Sequence, residues 1–269
     1  MRASGNGLMP MSDQSLTLQA LNIAPVKSLG LCHPQTVHVG ERGILEDRRF
    51  HVIDGLGRLM TQRQIAGMVQ VKAEYPLDPE RLSLLFPDGS TVEGAPEPGE
   101  QVTTFIFGRL VRGRVLEGEF GEALSHFCGA DLRLVKSDEP GQCQDAYPIS
   151  ILSQGSLDYL GERAEVSKPL DNRRFRPNFL VANTRPHEED SWVGSEVGVG
   201  PEVTIKVVAR DPRCAITTHD PDTGARDMNT LRVILGYRPD PQAAYFGVYG
   251  TVSTPGVVSV GDGVGVVDI

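Results

Sequence analysis

Between Leu16 and Leu134 the chain is built from short stretches that alternate apolar and polar side chains, cut at close intervals by turn sequences. A period of two puts every second side chain on one face, which is the pattern of a half-buried strand, and breakers this close together exclude long helices. Phe50 to Ile53 leads into Asp54-Gly55-Leu56-Gly57 and returns at Arg58 to Thr61. Arg81 to Phe86 turns at Pro87-Asp88-Gly89-Ser90 and returns at Thr91-Val92-Glu93, and Val102 to Phe107 and Leu110 to Leu116 flank Gly108-Arg109. Glycine and aspartate supply the backbone conformations that tight hairpins demand. Leu18 to Ile23 is a further strand, Gly118 to Cys128 the first helix, with Leu124 and Phe127 on one face, and Leu132 to Val135 a returning strand. Many short strands in succession predict a small barrel or sandwich.

The second half mixes strands with a few short helices. Ile149 to Leu152 is a strand, and Ser153 is placed to cap a helix running through Leu157 and Leu160. Phe179 to Ala182 is a short buried strand, followed by the acidic loop Glu188-Glu189-Asp190 and the single tryptophan, Trp192. Strands resume at Val203 to Ala209, Tyr245 to Val252 and Val264 to Val267. Polar, glycine- and proline-bearing residues from Lys136 to Gln144 mark a candidate linker. The expected fold is therefore α+β and strand-dominated, with a small barrel or sandwich over residues 16–136 and a strand-dominated α+β domain over 137–269.

Charge and composition remove several function classes. A formal net charge of −9 is the wrong sign for nonspecific grip on a phosphate backbone, so no nucleic-acid partner is expected. No apolar run approaches the roughly 20 residues that cross a bilayer, and Met1 to Ser15 lacks the apolar core of a signal peptide. The expectation is a cytoplasmic protein with no membrane span; the stretch holding Met9 and Met11 is a lead-in or precedes the true start of translation. The four cysteines, Cys32, Cys128, Cys143 and Cys214, form no CxxC pair, so neither a zinc knuckle nor an iron–sulfur cluster is implied and free thiols are expected. No GxSxG, P-loop or HExxH pattern occurs, and of the six histidines only His219 falls near a candidate site.

Four segments carry polar residues that a core or a plain surface leaves unexplained. Cys214 follows a strand and Arg210-Asp211-Pro212-Arg213, and precedes Thr217-Thr218 and the turn Asp220-Pro221-Asp222-Thr223-Gly224. It is either a small buried apolar residue or, beside Arg210 and Arg213, a thiolate available to a soft metal. Arg173-Arg174-Phe175-Arg176-Pro177-Asn178 is either a solvated basic turn or a set of planar donors for an anion. Lys27-Ser28, with Arg48 and Thr61-Gln62-Arg63, is either a strand-end charge or a phosphate clamp, and Asp145, before a strand, is either a turn residue or a proton relay.

Taken in order, Ala24-Pro25-Val26-Lys27-Ser28, Asp47-Arg48, the Arg-Phe-Arg-Pro-Asn run, the Arg213-Cys214 step and the closing Val260-Gly261-Asp262 resemble the MOSC superfamily, in the branch with an extra N-terminal β barrel and, within it, the amidoxime-reducing group. The resemblance implies an N-terminal β-barrel-like domain followed by a MOSC β-barrel domain with few short helices, and a molybdenum cofactor (molybdopterin with Mo) bound by Lys27, Ser28, Arg48, Arg174, Arg176, Asn178 and Arg213. It implies Cys214 as the metal ligand and, with Asp145 as proton relay, as the catalytic pair. The family often has a small hydroxyl residue where this chain has Pro212, which bears on one hydrogen bond to the site. The implied activity is reduction of N-hydroxylated small molecules, amidoximes and N-hydroxylamines. Electrons are expected from a separate donor protein of ferredoxin, flavoprotein or cytochrome b5 type, because no cysteine cluster follows the last strand. The alternative the resemblance leaves open is a carrier or sulfur-transfer protein that binds the cofactor without reductase activity.

Overall fold

The computed structural model describes residues 15–267; the lead-in with Met9 and Met11 and the last two residues lie outside them. Strand accounts for 40% of the chain and helix for 17%, with three α-helices among the described residues, so the strand-dominated fold read from the alternation holds. One seven-stranded sheet runs in the order Thr17–Leu21, Phe179–Ala182, Ile149–Ser153, Tyr245–Thr254, Val203–Pro212, Glu196–Val199, Val264–Val266. Its two edges nearly meet: Val264 N donates to Leu16 O at 2.9 Å, Leu18 N to Asp262 O at 2.8 Å, and Thr17 bridges Gly263. Near closure leaves little edge exposed and gives one interior, filled by Leu18, Leu21, Ile151, Phe179, Val181, Ile205, Val207 and Val248. The one parallel strand pairing within this sheet, Ile149–Ser153 with Phe179–Ala182, is spanned by the helix Gln154–Arg163, as a parallel step requires. Ser153 caps that helix by accepting from Ser156 N at 3.1 Å.

A second sheet runs Leu59–Met60, Phe50–Asp54, Leu132–Ser137, Arg109–Leu116, Pro98–Ile106, and a three-stranded sheet of Lys72–Glu74, Leu82–Leu85 and Thr91–Gly94 packs beside it. The hairpins expected at Asp54-Gly55-Leu56-Gly57, Pro87-Asp88-Gly89-Ser90 and Gly108 are all present, and the helix Phe120–Cys128 buries Leu124 against Phe50, Met68, Leu82 and Leu132. Alternation did not reveal the strands Thr36–Gly40, Gly256–Ser259 and Glu196–Val199, each four or five residues long and three of their termini or interiors glycine, nor the helix Thr230–Tyr237. The candidate linker is also more ordered than its composition implies. Leu132–Ser137 carries its first residues, Cys143 is fully buried, and Arg109 donates to the carbonyls of Gln142, at 3.0 Å, Gln144, and Asp145, at 2.9 Å. Fixing that segment is what fixes Asp145.

Candidate functional site

A cavity of about 590 Å³ opens where the two sheets approach each other. Its construction starts with the Ala24–Lys27 segment, stitched to Asp47–Phe50 by Arg48 N donating to Ala24 O at 2.7 Å, Ala24 N to Asp47 Oδ1 at 2.7 Å, and Lys27 N to Phe50 O at 2.8 Å. These bonds bring Lys27 and Arg48 to one wall. Asp145 arrives from the other half: its Oδ1 accepts from Lys27 Nζ at 2.6 Å, and its Oδ2 lies 3.9 Å from Arg48 Nη2. Lys27 is 4% exposed, and burial pushes its ammonium below the usual lysine range, opposed by Asp145. Burial also works against ionisation of Asp145, but Lys27 and Arg48 outweigh it and hold the carboxyl well below the usual carboxylate range. For Arg48 the neighbouring carboxylates of Asp47 and Asp145 likewise outweigh burial, and its guanidinium is held more firmly charged than usual.

Arg176 and Asn178 come from the turn before Phe179–Ala182. Arg176 Nη2 donates to Leu29 O at 2.8 Å and makes no ion pair among the described residues. Burial, and then Arg48, push its guanidinium down to about 10. The Asn178 amide is spent inside the protein, accepting from Ser150 N at 3.0 Å and donating to Asp47 Oδ2 at 3.0 Å, so it lines the cavity while welding the two walls. Arg174 grips Asp227 in a two-pronged pair at 2.7 and 2.8 Å and donates to His219 O at 2.6 Å, which anchors the loop that follows Cys214. His219 itself does not line the cavity.

Cys214 stands two residues past the extended run Val203–Pro212 and opens the 3₁₀ turn Ala215–Thr218, with its thiol exposed at the cavity. The arginine at the sulfur is not one that its neighbours in sequence pointed to: Arg63 Nη2 approaches Sγ at 3.8 Å. Arg213 turns inward, donating to Phe246 O at 2.6 Å and Phe175 O at 2.9 Å and leaving Nη2 buried without a partner, while Arg210 pairs with Asp240. Phe107, at the hairpin tip, separates two cations, Lys27 at 4.9 Å and Arg63 at 5.1 Å from its ring centre. Gly247 admits Arg213 here: it has φ +80°, and a side chain would meet Ile151 O and Arg213 Nη2.

Lys27, Ser28, Arg48, Arg174, Arg176, Asn178, Arg213, Asp145 and Cys214 therefore all line one cavity. So do Arg63, which the sequence grouped with the candidate phosphate clamp without giving it a role, and Arg109, Phe107, Tyr249 and Asp211, which it did not single out as site residues; Asp211 was legible only as the residue three before Cys214. Seven basic side chains face two acidic ones, in a chain of net charge −9. Four of the seven non-glycine residues with positive φ, Ser28, Arg48, Phe107 and Arg176, are in this lining, and backbone held off its preferred conformations collects at functional sites.

Among the described residues no three His, Cys, Asp or Glu side chains converge on a metal position. The cavity offers one exposed thiol together with many cations and a buried, unpartnered guanidinium nitrogen. That set fits an anionic ligand carrying a metal whose other donors it brings along.

Residues 138–265 match the MOSC domain and residues 15–130 the MOSC N-terminal beta barrel domain. Mitochondrial amidoxime-reducing component 1 of Mus musculus is 30% identical over 91% of this chain and 81% of its own length. Mitochondrial amidoxime reducing component 2 of Homo sapiens is 31% identical over 91% and 82%.

Proposed function

The chain belongs to the MOSC family, in the branch that carries the N-terminal barrel, and from that premise we propose that it is an oxidoreductase holding a molybdenum cofactor in this cavity. It reduces N-hydroxylated small molecules, amidoximes or N-hydroxylamines, with electrons from a separate donor protein. The observation that carries this reading is one exposed thiol, Cys214, in a strongly cationic cavity of an acidic chain. When bound, the cofactor supplies the two-electron removal of oxygen. Cys214 would hold the metal. Lys27, Arg48 and Arg176 would hold the phosphate end, with Ser28 beside them, and the free Nη2 of Arg213 would meet the pterin. Asp145 keeps Lys27 and Arg48 in register for an anion, and Arg174 and Asn178 fix the loops that present the others.

Exposure of Cys214 at an open cavity supports an enzyme over a cofactor carrier, because space remains beside the thiol for a substrate. We place the division between the two domains at residues 136 and 137, and the four free thiols support a reducing compartment such as the cytoplasm. Among the described residues no helix is long and apolar enough to cross a membrane. The test is elemental analysis of protein made in a cofactor-producing host, beside Cys214→Ser, followed by amidoxime reduction with a chemical electron donor. About one molybdenum per chain and reductase activity lost in the variant are expected. Protein free of molybdenum and pterin would defeat the reading.

A further inference from the structure

Removing oxygen from an N-hydroxylated compound needs protons, and Asp145 is badly suited to give one. Its carboxylate sits against Lys27 and near Arg48 and stays ionised far below neutrality. A second carboxyl faces the same cavity. Asp211, near the end of Val203–Pro212, is 1% exposed and lies three residues before Cys214. Arg213 Nη1 forms an ion pair with its Oδ2 at 2.7 Å and donates to the Phe175 carbonyl, yet neither of its hydrogens is aimed at Oδ2, which is buried with no hydrogen-bond partner among the described residues. A buried carboxylate oxygen without a donor is costly, and protonation relieves that cost.

We propose that Asp211 is the proton-holding side chain of this cavity, giving a proton to the oxygen that leaves the substrate and regaining it from solvent. The inference rests on the reductase reading. In the conversion of R–NH–OH to R–NH₂ the N–O bond breaks, and two electrons and two protons are consumed as one water forms. The donor protein supplies both electrons. Asp211 supplies one proton to the departing oxygen and is left as a carboxylate beside Arg213; water entering the cavity restores it and delivers the other proton.

Four groups face Asp211. Arg213 comes from its own segment, Tyr249 from the neighbouring strand Tyr245–Thr254, and Asp145 and Arg48 from across the cavity. Burial raises the carboxyl most and Asp145 adds to it; Arg213, Tyr249 and Arg48 pull the other way, and the outcome is a carboxyl pushed up to about 6. A donor midpoint close to neutral lets the group both hold its proton and release it at working pH. Tyr249, kept protonated by burial and by Asp211 beside it, does not compete.

Two measurements test this on the full chain. Infrared titration of protein made without cofactor should show a protonated carboxyl signal that disappears as pH rises through about 6 and is missing from Asp211→Asn. With the loaded enzyme and a chemical electron donor, the wild-type rate falls over the same pH range, because the proton-bearing form is lost. Asp211→Asn loses that pH limb and at least about 100-fold in kcat, and Asp211→Glu restores the limb. Unfolding temperatures of both variants separate this from misfolding. A wild type with no such carboxyl signal, or an Asn variant that keeps the wild-type rate and pH profile, overturns the assignment. If no N-hydroxylated compound is reduced at all, the reductase reading fails, and the infrared titration still upholds or overturns the proton on Asp211.

Discussion

Replacing Asp145 by Asn removes the only carboxylate among the described residues in contact with Lys27 and leaves a 4% exposed ammonium beside the Arg48 guanidinium. Deleting one partner of a buried pair costs about 3–5 kcal/mol, and deleting one at the surface about 0–1 kcal/mol. The Asp145 side chain is 47% exposed to the cavity, so solvent screens part of the loss, and an intermediate cost of about 2 kcal/mol follows. In a chain of this size that lowers the unfolding temperature by about 4–8 °C. Denaturant unfolding at neutral pH measures it, and Lys27→Met on top of Asp145→Asn isolates the cause. If the cost is a stranded charge, the double variant recovers most of the stability, because a methionine fills the same channel without charge. The linkage has a definite sign. A carboxyl whose folded pKa lies below its unfolded value of 3.8 contributes stability above that value and loses it as pH falls below it, so wild type and Asp145→Asn converge in strong acid. A single variant within 0.5 kcal/mol of wild type at neutral pH, or a double variant no better than the single, refutes the reasoning.

Three further outcomes follow from other parts of the molecule. Arg176→Met raises the stability of ligand-free protein by about 1 kcal/mol, since a buried cation with no ion pair among the described residues is removed; pyrophosphate is expected to raise the unfolding temperature of wild type, and the variant lacks that rise. Gly224→Ala, at φ +75° with a side chain driven into the Ala66 backbone, costs about 2 kcal/mol in denaturant unfolding and loosens the contact between the two halves. His51 is fully buried, and burial and Lys27 lower it to about 3, so the folded protein refuses a proton that the unfolded chain accepts below about 6.5; between pH 6.5 and pH 5 its share of the stability falls by about 2 kcal/mol, and His51→Gln flattens that slope.

The hairpins were legible because their turns carry glycine and aspartate at fixed places and their flanks alternate: Asp54 Oδ1 accepts from the amides of both Leu56 and Arg58 at 2.9 Å, a purely local device. Closure of the large sheet was not, since it joins Leu16–Leu18 to Asp262–Val264, and no local pattern encodes contacts at that separation. Among site residues, the arginines, Lys27 and Cys214 stood out as chemistry in unexpected places. Their partners did not. Arg63 reaches Cys214 across the interface, whereas Arg213, its neighbour in sequence, points into the interior, because a strand end sends successive side chains in different directions. Asp211 was not legible, since its meaning lies in an oxygen left without a donor, which only packing reveals.

The cavity is expensive to maintain when no anion fills it. Lys27, Arg48 and Arg176 approach one another with Asp145 and Asp47 offsetting them, and Ser28, Arg48, Phe107 and Arg176 hold left-handed backbone at about 1–3 kcal/mol each. Nothing in the packing of the large barrel requires this, because its interior is apolar. The stabilising surplus of the closed sheet is what permits such a concentration of strain and like charge. A ligand that neutralises the lining recovers part of that cost as binding energy, and by linkage raises stability in proportion to its occupancy. The same arrangement separates the labour between the halves: the first brings Lys27, Arg48 and Arg63, the second Cys214, Arg176 and Asp211, and neither alone offers both an anion clamp and a thiol. Affinity for an anionic ligand and docking of the two halves are therefore one equilibrium, and substitutions that weaken the contact between them, such as Gly224→Ala, weaken anion binding without touching the anion.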